Sequence, residues 1–253
     1  MSFFGRTRDI YRRSSKPKDI FWNKYVARPA AAFVVALLER GRVTPNQVTL
    51  ASLVVFLVAA GMLILLPGHP GLIAAVLVIE LSYVLDCVDG QLARIRGSSS
   101  PIGAHFDFLM DELKAFVLVA ATAARLYQET ASDRLLLEGL AALTAVASGI
   151  SLTTFIRRPE YRAATGAVTP QGSGDYGEGF AAPPVAAPRL GLIRRAFGLV
   201  EAVGRFLIHY PSYLVLVAAF NRLDLFLHAY FAVNAAYAAR ALAGVALKLG
   251  RGP

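Results

Sequence analysis

The chain has 253 residues, 56% of them hydrophobic, with a mean hydropathy of +0.51 and a formal net charge of +9 at neutral pH. That composition is too apolar for an ordinary soluble domain and fits a multi-span membrane protein. The basic residues lie beside apolar stretches, not on one soluble face, which argues against nucleic acid as a partner, and the single cysteine, Cys87, excludes an intramolecular disulfide or a cysteine-based metal cluster.

The first segment, MSFFGRTRDIYRRSSKPKD, is basic but has no apolar core or cleavage site, so it is expected to stay in the mature protein and not to act as a signal peptide. Residues 19–40, DIFWNKYVARPAAAFVVALLER, carry an apolar run too short to cross a bilayer, with Trp22 and Tyr25 near its start. An amphipathic helix lying in the membrane interface is predicted there.

Six apolar stretches suggest six membrane spans, near 46–66, 72–93, 102–126, 134–156, 206–221 and 224–247. The first opens on TPNQ, a capping box with Thr44 as N-cap, Pro45 at the first helical position and Gln47 three residues after the cap. The third opens on SSSP, with Ser100 as N-cap and Pro101 at the first position. Residues 1–45 hold ten Lys and Arg, the first connection PGHPG none, the second Arg94 and Arg96, and the fourth Arg157, Arg158, Arg162, Arg189, Arg194 and Arg195. This alternation puts both termini in the cytoplasm. The fold expected is all-α, one membrane-embedded domain over residues 1–253 with a cytoplasmic or interfacial segment at 1–45 and a flexible cytoplasmic loop at 163–192. That loop contains GSGDYG, which fits a dinucleotide fingerprint on paper, but no strand precedes it and AAPPVAAP follows.

The chemistry concentrates in LDCVDGQLARIRGSSSPIGAHFDFLMD, residues 85–111. Asp86 and Asp89 are three apart near the end of the second span; Asp107 and Asp111 are four apart at the start of the third. Each pair shares a helix face, and an antiparallel hairpin brings all four carboxylates to similar depth. Solvation, or pairing with Arg94 or Lys114, accounts for one such aspartate. Four together require more, since a carboxylate at the centre of a spanning helix costs about 2.5–3.5 kcal/mol. Mg²⁺ or Mn²⁺ suits an all-carboxylate set, while a lone His105 disfavours zinc. Gly90 and Ala93 leave the helix surface bare for close approach, and Arg94 sets a positive charge beside the carboxylates that suits phosphate.

Together these residues spell Asp86-x-x-Asp89-Gly90-x-x-Ala93-Arg94, eight residues, then Gly103-x-x-x-Asp107-x-x-x-Asp111. The pattern resembles the signature of the class I CDP-alcohol phosphotransferases at all eight specified positions, and the likeness extends to the interfacial helix, the TPNQVT start and the six spans. The resemblance implies a homodimeric enzyme of the cell (cytoplasmic) membrane, its site facing the cytoplasm. Such an enzyme moves a substituted phosphoryl group from a CDP-linked lipid, CDP-diacylglycerol being the expected donor, to an alcohol, releasing CMP. It further implies two divalent cations, Mg²⁺ or Mn²⁺, held by Asp86, Asp89, Asp107 and Asp111, with Asp111 also the general base. Asn46, Gln47, Val48, Thr49, Gly90, Ala93, Arg94 and Ser100 are then expected to bind the cytidine diphosphate part.

For the acceptor, Phe108 after Asp107 and Glu112 after Asp111 depart from the residues common in the choline, ethanolamine and inositol phosphate branches. Arg157, Arg158, Arg195 and Arg205 are candidate contacts for a phosphorylated polyol such as inositol phosphate or glycerol phosphate; setting topology is their other reading. Two other classes compete. A magnesium-dependent prenyltransferase usually carries its Asp-rich motifs on two separated loops, and a divalent-cation transporter has no need of Gly90, Ala93 and Arg94 beside its ligands.

Overall fold

The computed structural model describes residues 2–15, 20–165, 202–204 and 206–250, and among them every regular element is a helix. The chain divides into two compact units, Met1–Lys114 and Ala115–Pro253.

In the first unit, α1 (Phe3–Ser14) is capped by the Ser2 hydroxyl, which accepts from the Gly5 N–H at 3.2 Å. A π-helical turn, Asn23–Ala27, leads into α2 (Arg28–Leu38), where the interfacial helix is expected. Helix α3 (Pro45–Leu65) begins at the capping box read from the sequence: Thr44 Oγ1 accepts from the Gln47 N–H at 3.3 Å, and Gln47 Oε1 accepts from the Thr44 N–H at 2.9 Å. Helix α4 (Gly68–Arg96) ends at Gly97, whose φ of 64° is the left-handed conformation that glycine adopts without strain. The Gly97 N–H reaches Arg94 O at 3.3 Å and the Ser98 N–H reaches Ala93 O at 2.9 Å, a Schellman closure. Two residues later Ser100 caps α5 (Pro101–Thr130), its hydroxyl accepting from the Gly103 N–H at 3.1 Å. A left-handed stop and a serine start thus reverse the chain between the two halves of the aspartate motif.

The core of this unit forms behind that motif. Ile10 of α1, Ala31, Ala32, Val35 and Ala36 of α2, Val48 of α3, and Val88 and Leu92 of α4 are buried together, with Cys87 packed at the edge as a small apolar residue. Polar groups add to the packing: Arg96 donates to Glu39 O at 3.2 Å, to Leu38 O and Val43 O at 2.5 Å each, and to Gly41 O at 2.9 Å. It thereby ties the end of α2 and the turn that follows it to α4.

In the second unit, α6 (Asp133–Arg157) starts at the Ser132 cap and leads to the short α7 (Pro159–Thr165). Helix α9 (Leu223–Leu249) packs along α6, where Tyr237 hydrogen-bonds Thr153 at 2.7 Å and its ring lies against Gly149. Helix α8 (Pro211–Ala219) meets α9 through the Tyr213 and Phe226 rings, 5.8 Å apart.

Among the described residues four helices, α3, α4, α6 and α9, are long and apolar enough to cross a membrane, and the number is five if Ala202–Ile208 and α8 form one bent span. Helix α5 has 30 residues but carries Asp107, Asp111, Glu112, Lys114, Arg125 and Glu129 and does not qualify by apolarity. The stretch expected as a single span at 206–221 breaks at His209, because Pro211 has no N–H to continue a ladder and sits instead at the first position of α8. The GSGDYG stretch and the rest of the expected loop beyond Thr165 lie outside the described residues.

Candidate metal and phosphate site

Asp86 and Asp89 stand one turn apart on α4, and α5 brings Asp107 opposite them. One carboxylate oxygen from each of the three lies within 4.8 Å of the others. Three oxygens at this separation offer a hard cation anionic ligands on several sides, and among the described residues no softer donor joins the group. The donor set therefore fits Mg²⁺ or Mn²⁺.

Helix α3 holds the carboxylates from behind. Thr49 Oγ1 donates to Asp89 Oδ2 at 2.5 Å, and Ser52 Oγ is 3.5 Å from Asp86 Oδ1. Ser82 on α4 donates back to Ser52 O at 2.7 Å, so the two helices are stitched beside the site. Asp89 is only 4% exposed, and burying a carboxylate this far demands such partners. On α5, Asp111 lies one turn beyond Asp107, and the Lys114 ammonium pairs with Asp86 Oδ1 and reaches Asp111 Oδ1 at 3.4 Å.

The residues expected at the phosphate end divide by task. Arg94 is exposed, and its guanidinium folds over Gly90, where an added Cβ would stand 3.3 Å from Nη1; its Nε donates to Ser14 O at 3.1 Å. Asn46 is exposed at the first turn of α3 and faces Gly103, its Oδ1 3.6 Å from where a Cβ would sit, with Ser100 Oγ beside it. Ala93 is half-buried on the same turn as Arg94. Gln47, Val48 and Thr49 have structural work: Gln47 closes the capping box, Val48 fills the core, and Thr49 holds Asp89.

Arg157 ends α6 and Arg158 caps it, both in the second unit, whereas Arg195 and Arg205 fall outside the described residues. His105 bonds the Pro101 carbonyl of its own helix at 2.7 Å. Sequence reasoning did not assign Thr49 or Ser52 as partners of the aspartates. A small hydroxyl one turn from the TPNQ box is the only trace of that role in the sequence.

The CDP-alcohol phosphatidyltransferase family model matches residues 42–171, from the turn before α3 past the end of α7. The chain is also 40% identical over 89 residues to archaetidylinositol phosphate synthase from Aeropyrum pernix; the alignment covers 35% of this chain and 43% of that protein's length.

Proposed function

The chain belongs to the CDP-alcohol phosphatidyltransferase family, and from that premise we propose that it transfers a substituted phosphoryl group from a CDP-linked lipid, CDP-diacylglycerol in this reading, to an alcohol, releasing CMP. The observation that carries the proposal is the convergence of Asp86, Asp89 and Asp107 within 4.8 Å beside an exposed Arg94.

Asp86, Asp89 and Asp107 hold two divalent cations, Mg²⁺ or Mn²⁺, with Asp111 as a further ligand. Bound there, the cations supply Lewis-acid neutralisation of the diphosphate and of the leaving phosphate. Arg94, spread over bare Gly90, pairs with a diphosphate oxygen, and Asn46, Gly103 and Ser100 border the nucleotide end, with Ala93 leaving room. Gln47, Val48 and Thr49 shape that end by fixing the start of α3. Asp111 accepts the proton of the acceptor hydroxyl while the hydroxyl oxygen forms a bond to the lipid-bearing phosphorus; the bond from that phosphorus to the bridging oxygen breaks, and CMP leaves with the electron pair. The lipid's acyl chains stay in the bilayer throughout, which gives a reason for housing this reaction in membrane helices.

A phosphorylated polyol is the favoured acceptor. The product named for the Aeropyrum pernix relative, archaetidylinositol phosphate, supports this choice, and Arg157 and Arg158 are the candidate contacts, with Arg195 and Arg205. The protein is read as a six-span homodimer of the cell membrane with both termini and the site on the cytoplasmic side. The alternation of Arg and Lys between connections supports that topology, and the length of α5, about 45 Å at the helical rise, supports its being a span despite its charges.

Product identification tests the reading. Purified protein in nanodiscs, given CDP-diacylglycerol, Mg²⁺ or Mn²⁺ and separately inositol phosphate, glycerol phosphate, serine or inositol, should form a phospholipid with a phosphorylated polyol. Unconsumed CDP-diacylglycerol across the whole panel would contradict it.

A further inference from the structure

Lys114 has no place in the eight-residue motif, yet it is 2% exposed and sits among the motif carboxylates. It lies three residues after Asp111 on α5, so both side chains leave the same helix face. Its ammonium spans to α4, pairing with Asp86 Oδ1 while lying 3.4 Å from Asp111 Oδ1. Asp86 is one of the three converging carboxylates, and Asp111 stands outside that trio. The lysine therefore connects a metal-facing carboxylate to the remaining motif aspartate.

Burying an ammonium is costly without partners. A lysine that only balanced charge would be served by a solvated position, as most surface ion pairs are. Here its head group is paired with Asp86, a carboxylate of the converging trio, and reaches one oxygen of Asp111.

We infer that Lys114 is a positioning residue of the transfer site: its ammonium aims Asp111 at the acceptor hydroxyl and holds down the cation affinity of the Asp86 end. The inference rests on the proposed metal-dependent transfer. Its two effects have opposite signs when the charge is removed. A positive charge this close to the ligands and shielded from water lowers cation affinity by about tenfold or more, so its loss tightens cation binding. Asp111, released from its partner, loses alignment, and turnover falls.

The test measures Mn²⁺ binding by electron paramagnetic resonance, without substrate, and CMP release, for wild type, Lys114→Gln and Lys114→Arg in nanodiscs. Lys114→Gln should bind Mn²⁺ about tenfold more tightly, from the Coulomb argument, with kcat reduced at least tenfold and the KM for the CDP-lipid nearly unchanged. Lys114→Arg, which keeps the charge, should bind Mn²⁺ within threefold of wild type and recover part of kcat. Unchanged or weaker Mn²⁺ binding in a folded Lys114→Gln protein would overturn the inference. Should that variant fail to fold, Lys114→Arg carries the test, and a tenfold change in its Mn²⁺ affinity would overturn it equally. Absence of CMP release from wild type with any acceptor would instead remove the transfer reading, and the Mn²⁺ measurement identifies which of the two has failed.

Discussion

The hydroxyl of Thr49 on α3 donates to the buried carboxylate of Asp89 on α4 at 2.5 Å, joining the first turn after the TPNQ box to the second motif aspartate. The same carboxylate offers an oxygen within 4.8 Å of oxygens of Asp86 and Asp107, so a hydrogen bond that fixes it also fixes one member of the trio. Partners of this kind around metal ligands are typically worth about 10- to 100-fold in metal affinity. Thr49→Val, which keeps the shape and removes the donor, should therefore weaken Mn²⁺ binding by about tenfold. It should also destabilise the protein by about 1–3 kcal/mol, because a buried carboxylate loses a hydrogen bond. Thr49→Ser should restore most of both, as read by Mn²⁺ titration and thermal unfolding in detergent.

The four aspartates should separate by task when each is changed to asparagine. Asp86→Asn, Asp89→Asn and Asp107→Asn remove a charge from the converging trio and should lose both Mn²⁺ binding and CMP release. Asp111→Asn should retain most Mn²⁺ binding while CMP release falls by a factor of about 100 or more, the range expected for loss of a general base. Equal loss of metal in all four would assign Asp111 to ligation alone, and full activity in Asp111→Asn would remove it as the base.

Gly90 matters because Arg94 lies on it. A methyl at this position would stand 3.3 Å from Arg94 Nη1, the far end of a flexible side chain that can move away. Gly90→Ala should therefore leave the unfolding temperature near that of wild type while raising the KM for the CDP-lipid by about five- to tenfold, equivalent to roughly one charge-assisted hydrogen bond. A lowered unfolding temperature with unchanged KM would show the glycine to be a packing requirement.

Arg96 performs a task that lysine cannot copy. Its planar head reaches the carbonyls of Leu38, Glu39, Gly41 and Val43 together, and a lysine ammonium has fewer donors and no fork. Arg96→Lys should cost about 1.5–3 kcal/mol, since hydrogen bonds from a charged donor are lost. Metal affinity should change little, as measured by thermal unfolding and Mn²⁺ titration.

Local signals in the sequence carried much of this structure. The capping box at Thr44 and Gln47, the Ser100 cap and the clustering of Asp86, Asp89 and Asp107, three of the four aspartates expected together, follow from residue types at fixed offsets, and each is present in the fold. The interactions that went unread join residues far apart in the chain. Thr49 meets Asp89 across 40 positions and Arg96 bonds Leu38 of α2 across more than 50, whereas the Lys114–Asp86 pair, 28 positions apart, is the charge pairing that the sequence offered. Helix α1 also went unassigned, because its basic residues mask an apolar side on which Ile10 is buried with residues of α2 and Phe3 and Tyr11 pack against the same cluster. The break before Pro211 shows a different limit: mean apolarity over 206–221 carries no information about a missing N–H.

The central claim, metal-dependent transfer from a CDP-linked lipid, is tested most directly by CMP release from CDP-diacylglycerol in nanodiscs with Mg²⁺ and inositol phosphate, with and without a chelator, for wild type and Asp107→Asn. The account predicts release by wild type that chelation abolishes and Asp107→Asn lacks. Release that persists through chelation or in the Asp107→Asn protein would contradict it.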